Sequence, residues 1–140
     1  MGNIQRFVNA HTTSYSTALK EIKSGHKQSH WIWYIFPQLK GLGFSYMSDF
    51  YGIENLNEAQ EYMKHPILAK HMIEICNALL LLDNDDSDDV MGYPDNLKLC
   101  SSMTLFKHAN PDIEIFQKVL DKFFSGIEDE KTLEMLNYNF

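Results

Sequence analysis

Along most of this chain the apolar residues recur at helical spacing, and one stretch breaks that pattern. After Thr12-Thr13 the positions Tyr15, Ala18, Leu19 and Ile22 share one helical face, and Gly25 supplies a stop. Asn57-x-x-Gln60 has the spacing of a capping box beside Ala59, Tyr62 and Met63. His65-Pro66 puts proline at a first helical position, and Ile67, Leu68, Met72, Ile75, Leu79 and Leu82 follow in register. Pro111 opens a further helix with Ile115, Val119, Leu120 and Phe123 inward and Gly126 past its end. Asp129 caps a last short helix carrying Leu133 and Leu136. No convincing alternating strand appears outside residues 31–36. The pattern predicts an all-α, compact single-domain bundle of several helices with short connecting helices, spanning residues 1–140.

The exception is Ser29 to Gly43, which holds both tryptophans, a histidine, two further aromatics, a Pro-Gln pair and a Gly-x-Gly turn. Trp31 to Phe36 is six apolar residues in a row, and fits a buried strand as well as a buried helix. Pro37 biases Phe36 away from helical geometry. Gly41-Leu42-Gly43 lets the backbone approach something closely. Polar groups and glycines interrupt what should be core, which points to a site or to a sharply bent core segment.

The totals narrow the class. With 140 residues, 44% apolar and 22% charged, the chain is one ordinary domain able to bury a core without staples. The start, Met-Gly-Asn-Ile-Gln-Arg, has no signal-peptide core, and Arg6 stands where myristoylation of Gly2 needs Ser or Thr. The apolar run near Ala78–Leu82 is too short to cross a bilayer, so no membrane association and a cytoplasmic location are expected. Cys76 and Cys100 sit in apolar stretches without metal or redox spacing and read as reduced, buried thiols. No metal or cofactor motif is present.

A net charge of −7 argues against nucleic acid as a partner. The charge is uneven, however: residues 1–40 carry +4 and the remainder −11. A cationic segment on an acidic body focuses small anions; equally, surface lysines need no purpose. The acidic run Asp83-Asn84-Asp85-Asp86-Ser87-Asp88-Asp89 fails as a calcium loop, because its sixth position is Asp88 and its twelfth is Pro94. It reads as a solvated connection between helices.

Two clusters could carry chemistry. In the first, His30 is the candidate proton donor or acceptor, or else a core histidine bonded to a carbonyl. Trp31 and Trp33 are stacking candidates or core, and Lys27 could meet an anion. Gln38 can read a polar edge with donor and acceptor together, or satisfy loop backbone. Gly41 and Gly43 open the loop, and Ser45, Ser48 and Tyr51 stand three apart on one face of a short helix. In the second cluster, Lys98 with Ser101, Ser102 and Thr104 could hold a phosphate or carboxylate. Its plainer reading is a helix start, with Ser101 or Ser102 as N-cap.

Several blocks together resemble a known family. They are Arg6-Phe7, the run Lys27-x-Ser29-His30-Trp31-x-Trp33-x-x-Phe36-Pro37-Gln38-x-x-Gly41-Leu42-Gly43-x-Ser45, Tyr51, Glu58-Ala59 and His65-Pro66. Pro94-Asp95-x-x-Lys98-Leu99, Ser101-Ser102-Met103-Thr104-Leu105-Phe106 and Thr132-Leu133 complete the set. These are similar to the domain of unknown function 1810 family, whose members are sometimes mislabelled calpastatin. The resemblance runs from about Arg6 to Leu136. It implies a compact all-helical domain and makes Trp31–Phe36 a helix. It carries no established activity and nothing that supports calpain inhibition. His11 stands where the family usually has glutamine, and His26 where it has a basic residue. A fainter likeness, in the order of helical features, is to the NADAR superfamily, which acts on N-glycosidic bonds of ADP-ribose-type compounds. Its Glu-His-x-x-Gln block is absent, since the nearest place reads Glu58-Ala59-Gln60-Glu61.

Two functional expectations follow. One is a binding site for an anionic, nucleotide or ADP-ribose-like small molecule, with hydrolysis conceivable through His30 or, second, Asp95. It predicts that the two clusters meet in one concave pocket. The other is a non-catalytic interaction or structural domain, which predicts that His30, Trp31 and Trp33 are buried and satisfied.

Overall fold

The computed structural model describes residues 3–138, so Gly2, considered above for lipidation, lies outside the described residues. Among the described residues the chain forms nine helices. They are α1 (Gln5–Ser24), α2 (Ile32–Ile35), α3 (Tyr46–Phe50), α4 (Leu56–Lys64) and α5 (Pro66–Leu80), then α6 (Ser87–Met91), α7 (Asp95–Ala109), α8 (Ile115–Phe124) and α9 (Glu130–Tyr138). Among these residues extended pairing is confined to a parallel bridge between Leu39 and Ile53, where Lys40 N–H donates to Ile53 O and Ile53 N–H to Gln38 O, both at 2.9 Å.

The first helix begins earlier than its apolar spacing predicts. Phe7, His11, Tyr15, Ala18 and Ile22 form one buried stripe, and the polar His11 hides that continuity in the sequence. Gly25 closes α1 in the left-handed region at φ 91°, its N–H bonded to the carbonyls of Glu21 and Ile22. Pro66 occupies the first turn of α5, and the His65 side chain accepts from Ile67 N–H. Trp31–Phe36 is helical for a single turn, and Phe36 leaves it at φ −125°, ψ 73° ahead of Pro37.

Three predicted boundaries move. The cap of α4 is Asn55, whose side chain accepts from Glu58 N–H, so Asn57 lies inside the helix. Pro111 sits in a turn, and α8 begins at Ile115. Ser101 and Ser102 cap nothing, because α7 already starts at Asp95. The connection 83–89 is only part loop: Asp86 caps α6, accepting from Asp88 and Asp89 N–H.

Helix α7 is the axle of the fold. Every residue from Leu99 to Phe106 is buried, with α4, α8, α9 and α2 packed around it. A helix enclosed on all sides needs no polar face, which is why this segment lacks a one-sided stripe. Two of its three hydroxyls are satisfied within the helix: Ser101 Oγ donates to Leu97 O at 3.1 Å and Thr104 Oγ1 to Cys100 O at 2.8 Å. Asp129 caps α9 through Thr132 N–H, and its own N–H donates to Thr104 Oγ1, locking α9 to α7. Cys76 and Cys100 are free and buried; burial raises both thiols, that of Cys100 to about 11.

Candidate functional site

The turn before α2 is pinned to α1 by one carboxylate. Glu21 accepts from the N–H groups of Gln28 at 2.8 Å and Ser29 at 2.9 Å, from Ser29 Oγ, and from Trp31 Nε1 at 2.8 Å. Burial pushes this carboxyl up, but the four donors outweigh it and hold it at about 2. Trp31 is thereby buried and fully bonded. Lys27 lies across the Trp31 ring at 4.9 Å and donates to Ser29 O and Asp95 Oδ2, both at 2.6 Å. Asp95 also stands 3.7 Å from Lys98 Nζ, so two lysines share one carboxylate and the trio keeps a net positive charge.

One turn on, Trp33 and Lys98 form a second ring–cation pair at 5.4 Å, and this pair lines a cavity. Its polar wall is Trp33, Gln38, Ser48, Tyr51 and Lys98; Ile32, Phe36 and Gly52 complete it. The free volume is about 10 Å³, room for one water-sized atom or group. Trp33 Nε1 is buried and has no hydrogen-bond partner. Ser45, capping α3, donates to Ser48 Oγ at 3.0 Å and leaves the Ser48 proton free to donate. Gly43 lies against this hydroxyl: a Cβ there would stand 2.4 Å from Ser48 Oγ, so only glycine fits.

The far wall is held from behind by Arg6. Its guanidinium donates to Phe50 O and Gly52 O, each at 2.9 Å, and to Glu58 Oε2 at 2.9 Å. Glu58 is 2% exposed and also accepts from Glu54 N–H. The clamp fixes the segment that carries Tyr51, whose phenol is raised by burial and by the neighbouring Tyr34 and Tyr46 phenols.

The two sequence clusters therefore meet through Trp33, Gln38, Ser48 and Tyr51 on one side and Lys98 on the other, with Gly43 and Ser45 supporting. The remaining candidates lie elsewhere. His30 is exposed and its ring does not line the cavity, while its carbonyl accepts weakly from Tyr34 O–H at 3.4 Å. Lys27 and Trp31 are committed to Asp95 and Glu21. Gly41 turns the chain beside Met135 at φ 101°. Ser101 and Thr104 bond their own helix, and Ser102 is buried with its Oγ unpartnered. Sequence reasoning missed Arg6, Glu58 and Glu21 as shaping residues. Arg6 and Glu58 are 52 positions apart and carry no local signal. A lone acid in a cationic, tryptophan-rich segment could have flagged Glu21.

No group of three or more His, Cys, Asp or Glu is placed to hold a metal among the described residues. No helix among them is long and apolar enough to cross a membrane. Helices around a buried axle, with a small cavity between Trp33 and Lys98 at the side, define a small all-helical domain. This chain belongs to the family described as protein of unknown function (DUF1810), whose model matches residues 1–136. It is similar to the crystal structure of the conserved hypothetical protein Rv1873 from Mycobacterium tuberculosis, at 39% identity over 96% of each chain and a TM-score of 0.93. No curated protein matches the sequence.

Proposed function

We propose that the Trp33 cavity is a small-molecule binding site that takes the acceptor-rich, anionic end of its ligand. The observation that carries this reading is the buried, unpartnered Trp33 Nε1–H beside the Lys98 ammonium. An orphaned buried donor costs about 1–3 kcal/mol, which a bound acceptor recovers. Trp33 N–H and Lys98 can only donate, and the Ser48 oxygen already accepts from Ser45. The balance favours a carboxylate or phosphate oxygen over a donor. The cavity volume fits one such oxygen, with the rest of a nucleotide or ADP-ribose-like molecule outside it. Hydrolysis has less support, because His30 stands outside the lining and Asp95 is bound by two lysines.

A thermal-shift screen against nucleotides, NAD, ADP-ribose, sugar phosphates and inorganic phosphate tests the reading. A ligand at 100 times its Kd adds about 2.7 kcal/mol of stability. The shift should vanish in Trp33→Phe, which keeps the ring and removes the donor, and shrink in Lys98→Ala. No shift from any compound, or one untouched by both substitutions, sinks the proposal and favours the non-catalytic interaction domain.

A further inference from the structure

Behind α2, helices α1 and α5 meet through a pair of imidazoles. His11 Nδ1 and His71 Nδ1 are 2.9 Å apart, with the rings within 5° of parallel. Planes stacked face to face cannot bring two nitrogens that close, so the rings meet edge to edge around one shared proton. The partners decide who holds it. His11 Nε2 is 2.8 Å from the carbonyl of Tyr34, which can only accept, so His11 carries its proton on Nε2. His11 Nδ1 is then the acceptor and His71 Nδ1–H the donor.

We propose that this pair is a proton-sensitive latch between α1 and α5, closed at neutral pH and released in acid. One added proton leaves the contact intact, because a single hydrogen still lies between the two Nδ1 atoms whichever ring is charged. A second proton sets N–H against N–H, and the contact must part. His11 is 4% exposed and cannot turn to water, whereas His71 is half-buried and can swing away. That motion unstacks His71 from Tyr15, whose ring lies 3.6 Å from it and whose hydroxyl donates to Glu74 at 2.6 Å.

The surroundings set the working range. From α5, Glu74 favours a charge on His71 and Lys70 opposes it; His65, at the α4–α5 junction, opposes one on His11. Tyr62 from α4 and the Tyr34 carbonyl from α2 complete the shell. Burial depresses both imidazoles, His11 to about 4, and outweighs the Tyr34 carbonyl on His11 and Glu74 on His71, which favour the charged forms. The latch does not depend on the reading of the Trp33 cavity, although His11 also bonds the helix that carries Trp33.

An acid titration of the ligand-free protein tests it, following near-UV CD for aromatic packing and far-UV CD for helix content. The wild type should keep its aromatic signal through mild acid and lose it as pH falls through about 4, where His11 takes up the second proton, while its helices persist. His71→Gln is the decisive variant, because an amide can donate to neutral His11 or, flipped, accept from protonated His11. It should abolish the step without unfolding the protein. Imidazole NMR adds a second readout, expecting His11 to titrate at higher pH in that variant. An unchanged step in His71→Gln, or near- and far-UV signals falling together in the wild type, overturns the latch. Failure here leaves the ligand screen untouched, since that screen is read at neutral pH.

Discussion

Glu21 accepts four hydrogen bonds within one turn, and its removal should register as more than the loss of a surface charge. Glu21→Ala orphans the buried Trp31 N–H and frees the backbone of Gln28 and Ser29. Hydrogen bonds to charged groups contribute about 1.5–3 kcal/mol each, but the turn can rehydrate in part, so a net loss of about 2–3 kcal/mol is expected. For a domain of this size that lowers Tm by roughly 6–10 °C. A calorimetric loss below roughly 2 °C would mean that packing alone holds Trp31. At this scale the sequence was legible in kind and silent on partners. It marked the Trp block as unusual, yet gave no reason to separate Trp31, buried and bonded, from Trp33, whose donor is left over. That difference rests on Glu21, ten residues upstream of Trp31, and on how α1 ends.

Elements were legible where local chemistry decides them. Gly25 and Pro66 carry their own geometry, and both stand where the pattern put them. Boundaries fixed by tertiary contacts were not. The start of α7 is hidden because a fully enclosed helix has no amphipathic period, so its serines read as a cap. The same non-locality governs the wall of the cavity, where Arg6 of α1 and Glu58 of α4 hold the chain between Phe50 and Gly52. Their side chains are 10% and 2% exposed. Removing one partner of a buried pair leaves an uncompensated charge, which costs about 3–5 kcal/mol. Glu58→Gln should therefore destabilise by that amount in urea denaturation and weaken any ligand bound at Trp33. Gly43→Ala acts on the opposite wall, where its Cβ must displace Ser48 Oγ and Cβ, 2.4 and 2.8 Å away. Overpacking of this kind costs about 1–3 kcal/mol. Its signature should be lost ligand affinity with helix content unchanged.

At the scale of the whole molecule two electrostatic effects oppose each other in mild acid. The chain carries −7 at pH 7 and its pI is near 5.2, so acidification relieves self-repulsion and by itself favours the folded state. His11 works the other way. Burial, foremost, lowers its pKa from 6.5 to about 4. Between those values the unfolded chain takes up a proton that the folded chain refuses. The stability due to neutral His11 is therefore complete above pH 6.5 and lost as pH falls toward 4, a loss of about 3 kcal/mol. Glu21 extends the decline, because its folded value of about 2 lies below the ordinary 4.5 and its contribution disappears between those limits. Which effect wins depends on distance. The surface charges are spread over the molecule and screened beyond about 8 Å at physiological salt, whereas His11 is desolvated and unscreened. Stability from urea denaturation at fixed 0.15 M salt should accordingly fall from pH 7 to pH 4.5, through the isoelectric point, and His71→Gln should flatten that fall. A maximum near pH 5 would assign control to net charge and remove the histidine pair from the account of acid sensitivity.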